Sequence, residues 1–321
     1  MKKYISPIML FAAALIWGFA FVAQKAATTV PPFTICASRG IIAVLALTVI
    51  TVIFDKLGGN KRVLFSKKGI DLSRRELIGG IVCGSILFIA TALQQTGLAD
   101  TDAGKASFIT ALYVVIVPIL GIFMRRPAPI NALVGVVIAV IGFYLICIKK
   151  GVGIAPSDLL LTLCALCFAL QIIAIDVSVK GSDGIRLSLI QFSTMTVLSF
   201  ICSLIFEGID SYASVSLCLP EVLYLGIGSS GIAYTLQILG QKGTHPAVAS
   251  IILSMESVFG SVAAAIVLGE RMLTKEYIGC AIVLVAVIIS QLDTASVVSF
   301  SKRIIARKNA GAKNKTDISV E

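Results

Sequence analysis

The chain alternates between long apolar runs and short polar gaps. Ten runs stand out, at roughly 5–25, 32–54, 77–97, 101–123, 132–149, 157–179, 187–206, 221–240, 246–268 and 276–293. Each is about 20 residues long, the length at which a helix rising 1.5 Å per residue crosses roughly 30 Å of hydrocarbon. The pattern predicts ten transmembrane helices and an all-α membrane protein. The first run follows Lys2 and Lys3 and has the look of a signal peptide, but nine more runs follow it and it has a counterpart later in the chain. Beyond residue 293 the sequence turns polar, and 294–321 reads as a cytoplasmic tail touching lipid headgroups.

Composition supports the same picture. Of 321 residues, 57% are hydrophobic and 14% charged, against about 25% charged in a soluble domain. With a mean hydropathy of +0.99, the surface as well as the core must be apolar. The net charge of +10 does not point to nucleic acid, because the basic residues flank apolar runs and act as orientation signals and lipid contacts. Of the 27 Lys and Arg, roughly four lie on the side of the N-terminus for each one on the other side. That bias predicts cytoplasmic N- and C-termini, and the chain reads as a multi-pass protein of the plasma membrane. Lys149 and Lys150 fit it least well.

Seven of the eight cysteines fall inside apolar runs, including the pair Cys164 and Cys167. They read as small packing residues. His245 is the only histidine, so a histidine-rich metal site is not expected, nor is a cofactor.

The two halves resemble each other. Residues 88–107 lie over 231–250 without a gap, so that Ala90 meets Ala233, Gln94 meets Gln237, Gly97 meets Gly240 and Ser107 meets Ser250. Further up, "ALIWGFAFVAQ" lies over "ALCFALQIIAI", and Arg39 falls near Gln191. The halves are 1–150 and 151–293, with five spans in each. Five is odd, so the second copy enters the membrane upside down. Such inverted repeats are an architecture of secondary transporters that work by alternating access.

With these features in place, the sequence resembles the drug/metabolite transporter superfamily, as an EamA-type ten-helix transporter. The resemblance rests on "ALIWGFAFVAQKA" at 14–26, "SFITALYVVIVPILG" at 107–121 and "MESVFGSVAAAIVLGERMLTKEYIGCAIVLVAVI" at 255–288. It spans about 5–293. It implies a solute cavity between the halves near the bilayer midplane, with the fifth and tenth helices as scaffold, and movement of small metabolites, often out of the cell. Two positions depart from the family pattern: Ser257 stands where a proline often follows the acidic residue, and the first half shows "MRRPAP" where the second has Leu268, Gly269 and Glu270.

Several residues are candidates for the path. Glu256 lies near the middle of the ninth span, where an acid is costly and faces a cavity or a partner; it reads either as a proton-coupling group or as a packing contact. Arg39 lies about seven residues into the second span and needs a partner or water, because its guanidinium stays charged. A substrate carboxylate, Glu256 or backbone carbonyls would serve. Lys105 lies about 6 Å below the boundary of the fourth span. It can snorkel, pair with Asp102, or draw an anionic solute. Trp17, Tyr113 and Tyr234 offer aromatic walls or ordinary packing. Of five amides in or near spans, Gln94 and Gln237 are favoured because the repeat pairs them. Asp176 and Lys180 have the spacing of a simple ion pair. Gly80 with Gly84, and Gly228 with Gly231, suit close helix approach, and Pro118 suits a bend.

No Walker A motif, nucleophile elbow or metal-spaced cluster is present. The sequence therefore reads as a non-enzymatic secondary transporter, an exporter of small organic metabolites or amino acids. Its partners would be a small-molecule solute, membrane lipid and a coupling proton, with a homo-oligomer left open. The alternatives are a non-transporting membrane sensor or assembly protein, and a lipid-acting membrane enzyme.

Overall fold

In the computed structural model, large apolar side chains are bare and polar ones are buried. Ile8, Leu45, Phe123, Val137 and Ile266 are exposed, whereas Arg39, Gln171, Arg186, Gln191 and Glu256 are buried. In water this distribution would be costly. In hydrocarbon it is expected, since apolar surface is at ease there and each polar group must find its partner inside the protein. The structure describes residues 2–57, 65–66, 69–70, 72–125, 127–147, 155–269 and 273–291. The expected tail, Lys149, Lys150 and Glu270 lie outside them.

Ten helical segments follow in order: α1 (Lys2–Ala26), α2 (Pro32–Leu57), α3 (Arg74–Ala99), α4 (Ala103–Phe123), α5 (Ile130–Cys147), α6 (Pro156–Ser178), α7 (Gly184–Phe206), α8 (Ile209–Gln241), α9 (Pro246–Val267) and α10 (Thr274–Gln291). Eight are long and apolar enough to cross a membrane, and α5 and α10 contribute the shorter apolar stretches Ile130–Leu145 and Tyr277–Gln291. These correspond one to one with the ten runs read from the sequence. Two-residue strands, β1 (Phe65–Ser66) and β2 (Gly69–Ile70), pair antiparallel in the polar linker before α3.

Local chemistry sets the helix starts. Ser73 and Glu76 form a reciprocal capping box at α3. Asp183 accepts from the Ile185 and Arg186 amides at α7. The single histidine, His245, accepts from the Ala247 amide through Nδ1 at α9, satisfying an amide that the helix itself cannot.

The packing pairs follow a regular scheme. α3 lies on α6 and α7; α8 lies on α1 and α2; α4 lies on α6, as α9 lies on α1. The remaining large contacts are α2 with α7, α4 with α9 and α5 with α10. Exchanging each helix for the one five places along maps this set onto itself. α5 and α10 approach closely at Gly142, where an added Cβ would lie 2.8 Å from the Gly279 carbonyl oxygen. Gly80 and Gly84 likewise let α3 settle on Ile190, Gln191 and Thr194 of α7. On α8 the close approach falls at Gly226, against Ile42 and the Arg39 carbonyl oxygen, while Gly228 and Gly231 have more room.

Candidate functional site: a polar cavity at two broken helices

Three of the helices are irregular, and all three meet at one place. α4 is interrupted at Leu112, which separates Ala103–Ala111 from Tyr113–Phe123. Pro118 lies in the second segment and cannot donate to the Val114 carbonyl, so the ladder has a gap one turn beyond the break. α9 is interrupted at Ser254, between Pro246–Leu253 and Met255–Val267. It has no proline at this point. Instead Ser250, Ser254, Ser257 and Ser261 each donate a hydroxyl hydrogen bond to a carbonyl three or four residues back, at 2.7–2.9 Å, which competes with the ladder and bends a helix. Within α8, Tyr224–Ala233 is a π-helix, a rare form that is frequent at functional sites.

The cavity at this meeting point is lined by Trp17, Ala20, Phe21 and Gln24 of α1, Arg39 of α2, Gln94 of α3 and Tyr113 of α4. Phe168, Gln171 and Ile172 of α6, Ser229, Tyr234 and Gln237 of α8, and Leu253 and Glu256 of α9 complete it. No residue of α5 or α10 lines it. Its volume is about 30 Å³, room for a water or two. A metabolite enters only if the helices move apart, so the conformation is a closed one.

The wide turn of α8 serves two side chains. Arg39 is buried, and its Nε donates to Ser230 Oγ at 2.9 Å and its Nη2 to Ser229 Oγ at 3.2 Å. It bonds only neutral hydroxyls and makes no ion pair among the described residues. Trp17 Nε1 donates to the Ser229 carbonyl oxygen at 3.2 Å, and its ring stands 4.6 Å from that of Tyr234. Gln237 Nε2 donates to Gln171 Oε1 at 3.2 Å, and Gln171 Nε2 reaches Gln191 Oε1 at 3.4 Å, so the amides form a chain across α6, α7 and α8. Gln94 Nε2 donates to Thr110 Oγ1 at 3.5 Å. Gln24 Oε1 is buried without a hydrogen-bond partner, and the Tyr113 hydroxyl and the Glu256 carboxyl are buried as each other's polar neighbour. A buried amide oxygen beside a cavity of this size can be met by a water held inside it. Glu256 also lies in the first turn of the second segment of α9, where helix dipoles favour an acid.

The structure thus brings together Trp17, Arg39, Gln94, Tyr113, Tyr234, Gln237 and Glu256. Lys105 is not among them. Its Nζ lies 2.7 Å from Asp158 Oδ1 of α6. The sequence offered Asp102, snorkelling or a solute, because spacing reports neighbours on one helix and Asp158 comes from another. Asp176 and Lys180 form the ion pair their spacing suggested, at 3.3 Å. Sequence reasoning did not single out Ser229, Ser230 or Phe168. Phe168 had a signal: the repeat lays it over Trp17. The same shift that pairs Gln94 with Gln237 lays Tyr113 over Glu256, and the α4 break within a residue of the α9 break.

A buried polar cavity inside a bundle of apolar-surfaced helices marks a multi-pass membrane protein. Comparison with known proteins narrows the class. The model of the EamA-like transporter family matches the chain twice, at residues 5–148 and 155–292, and the chain belongs to that family. It is 29% identical over 299 residues to a protein of Archaeoglobus fulgidus described as an uncharacterized transporter, an alignment covering 91% of this chain and 87% of the relative. A solved crystal structure shares the fold with a TM-score of 0.67, at 18% identity, over 89% of this chain and 96% of that one.

Proposed function

We propose that the protein is a secondary transporter that exports small organic metabolites, amino acids among them, across the plasma membrane by alternating access. The observation that carries this reading is the closed cavity. It holds a cation bonded only to neutral groups, a buried acid beside a tyrosine hydroxyl, amides and an aromatic wall. Arg39 suits a solute carboxylate, because its fork stays charged and can turn from the two serines to a stronger acceptor. Glu256 suits a solute ammonium or a coupling proton. Trp17, Tyr234 and Phe168 suit the hydrocarbon part. An α-amino acid meets all of these at once.

The packing scheme, preserved when each helix is exchanged for the one five along, supports two halves that rock against each other. The double family match at 5–148 and 155–292 supports the same division. The basic bias toward the N-terminal side supports cytoplasmic termini. Export follows from the family resemblance. The test is thermal stabilisation of the purified protein by a panel of amino acids, organic acids, purines, sugars and cationic drugs, with flux measured in proteoliposomes. A ligand at 100 times its dissociation constant adds about 2.7 kcal/mol of stability. Stabilisation and flux for one solute class, lost together in Arg39→Gln, is the expected result. A panel with neither effect would count against a solute carrier.

A further inference from the structure

α2 and α7 are joined at both ends. Where α2 finishes and α7 begins, Arg186 Nη2 donates to Asp55 at 3.1 Å (Oδ1) and 3.3 Å (Oδ2), and the two side chains are only 2% and 4% exposed. Asp183, which caps α7, is itself held by Glu76 Oε1, acceptor of its amide at 3.0 Å. Where α7 finishes and α2 begins, Glu207 closes the other end. Its Oε1 accepts from the Phe33 amide at 2.8 Å, and its Oε2 accepts from the Thr34 amide and hydroxyl, each at 2.7 Å. These amides belong to the first turn of α2, where N–H groups lack helical partners and attract an acid.

The two joints occupy equivalent places in the two halves. At the one constant offset that lays Arg39 on Gln191, Asp55 lies on Glu207 and Thr34 lies on Arg186. In both, an acid at the end of one helix grips the third residue of the other. The joints are also separated by the right distance. From Thr34 to Asp55 the chain rises about 30 Å, the thickness of the hydrocarbon layer. One joint therefore sits at each membrane boundary, and each ties residues 5–148 to residues 155–292, the two stretches the family model matches. Between them α2 and α7 cross with little space, since an added Cβ at Gly40 would collide with Thr196.

We infer that Asp55–Arg186 and Glu207–Thr34 are paired latches, one on each face, and that transport proceeds by releasing one while the other stays closed. Both are closed in this structure, in keeping with a cavity too small for a metabolite. The latches differ in kind. Asp55–Arg186 is an ion pair out of water, whereas Glu207 holds backbone amides and a hydroxyl. The two faces therefore respond to different substitutions. The inference rests on the transport reading for the purpose of the motion, and its test reads the motion without any solute.

Nitroxide pairs on the full chain, in a background without the eight native cysteines, measure the two ends separately. The exposed positions Lys56 and Lys180 report one end, and Thr29 and Asp210 the other. Asp55→Asn is expected to lengthen the first distance by about 5 Å, the scale of a one-turn shift, and to leave the second unchanged. Glu207→Gln is expected to do the reverse. Because Asp55→Asn removes the nearer acid from buried Arg186 and leaves Asp183 Oδ2 at 4.0 Å from its Nε, the neutral pair Asp55→Asn with Arg186→Gln is measured beside it. The exchange Asp55→Arg with Arg186→Asp is expected to restore the short distance. Distances unmoved in the single and the neutral pair, or lengthened together at both ends, overturn the latches. A protein that opens one end at a time yet moves no solute would keep the latches and sink the transport reading.

Discussion

Lys105 Nζ lies 2.7 Å from Asp158 Oδ1 and 2.8 Å from its Oδ2, tying the start of α4 to the start of α6. Both side chains keep some contact with solvent, at 28% and 12% exposure, so the pair is worth about 1 kcal/mol or less. Lys105→Gln is expected to lower stability by no more than that and to leave solute affinity within about twofold. Thermal unfolding with and without ligand measures both. A tenfold loss of affinity would place Lys105 in the path after all.

Arg39 should behave in the opposite way. Its guanidinium reaches two hydroxyls from two nitrogens, a fork that a lysine ammonium does not reproduce. Arg39→Gln and Arg39→Lys are both expected to weaken binding of a carboxylate solute at least tenfold, about 1.4 kcal/mol. Ligand-induced stabilisation at fixed solute concentration checks this. Full binding in Arg39→Lys would mean that only the charge matters.

The ten spans were legible because the bilayer imposes one length and one polarity on every helix that crosses it. The candidate residues were legible for a related reason. Trp17, Tyr113, Gln237 and Glu256 lie at depths where a polar group must turn from lipid, so they had to meet something inside. What the sequence did not reveal was set by contacts between helices. The α9 break at Ser254 comes from serine hydroxyls bonding their own backbone, which serines do in many helices without a break. Ser229 and Ser230 look like ordinary small residues until the π-turn presents them to Arg39. Phe168 looks like lipid-facing surface unless read through its repeat partner, Trp17. Asp158 was invisible as the partner of Lys105 because 53 residues separate them.

Close packing around Arg39 makes a sharp comparison within α8. A Cβ at Gly226 would lie 2.6 Å from Ile42 Cβ and 3.1 Å from the Arg39 carbonyl oxygen, whereas one at Gly228 would stand 3.5 Å from the Tyr224 ring. Gly226→Ala is expected to cost about 1–3 kcal/mol through overpacking and to displace Arg39 from its serines, while Gly228→Ala stays close to neutral. Melting temperatures of the two variants settle the order, and equal losses would contradict the packing described here.

Glu256 separates coupling from scaffolding. The acid is buried in the cavity wall beside the Tyr113 hydroxyl. Glu256→Gln keeps the size and hydrogen-bonding capacity of the side chain and removes the exchangeable proton. If Glu256 carries a proton, the variant still folds and still exchanges solute across vesicles at equal pH, but an imposed pH gradient no longer drives net accumulation. If Glu256 holds the ammonium of the solute, exchange itself falls along with affinity. If it only ties helices together, stability falls and gradient-driven flux per folded protein is unchanged. Counterflow and gradient-driven uptake, measured on one preparation of each variant and normalised to folded protein, distinguish the three. Its place in the wall of the cavity, rather than between two packed helix faces, predicts one of the first two.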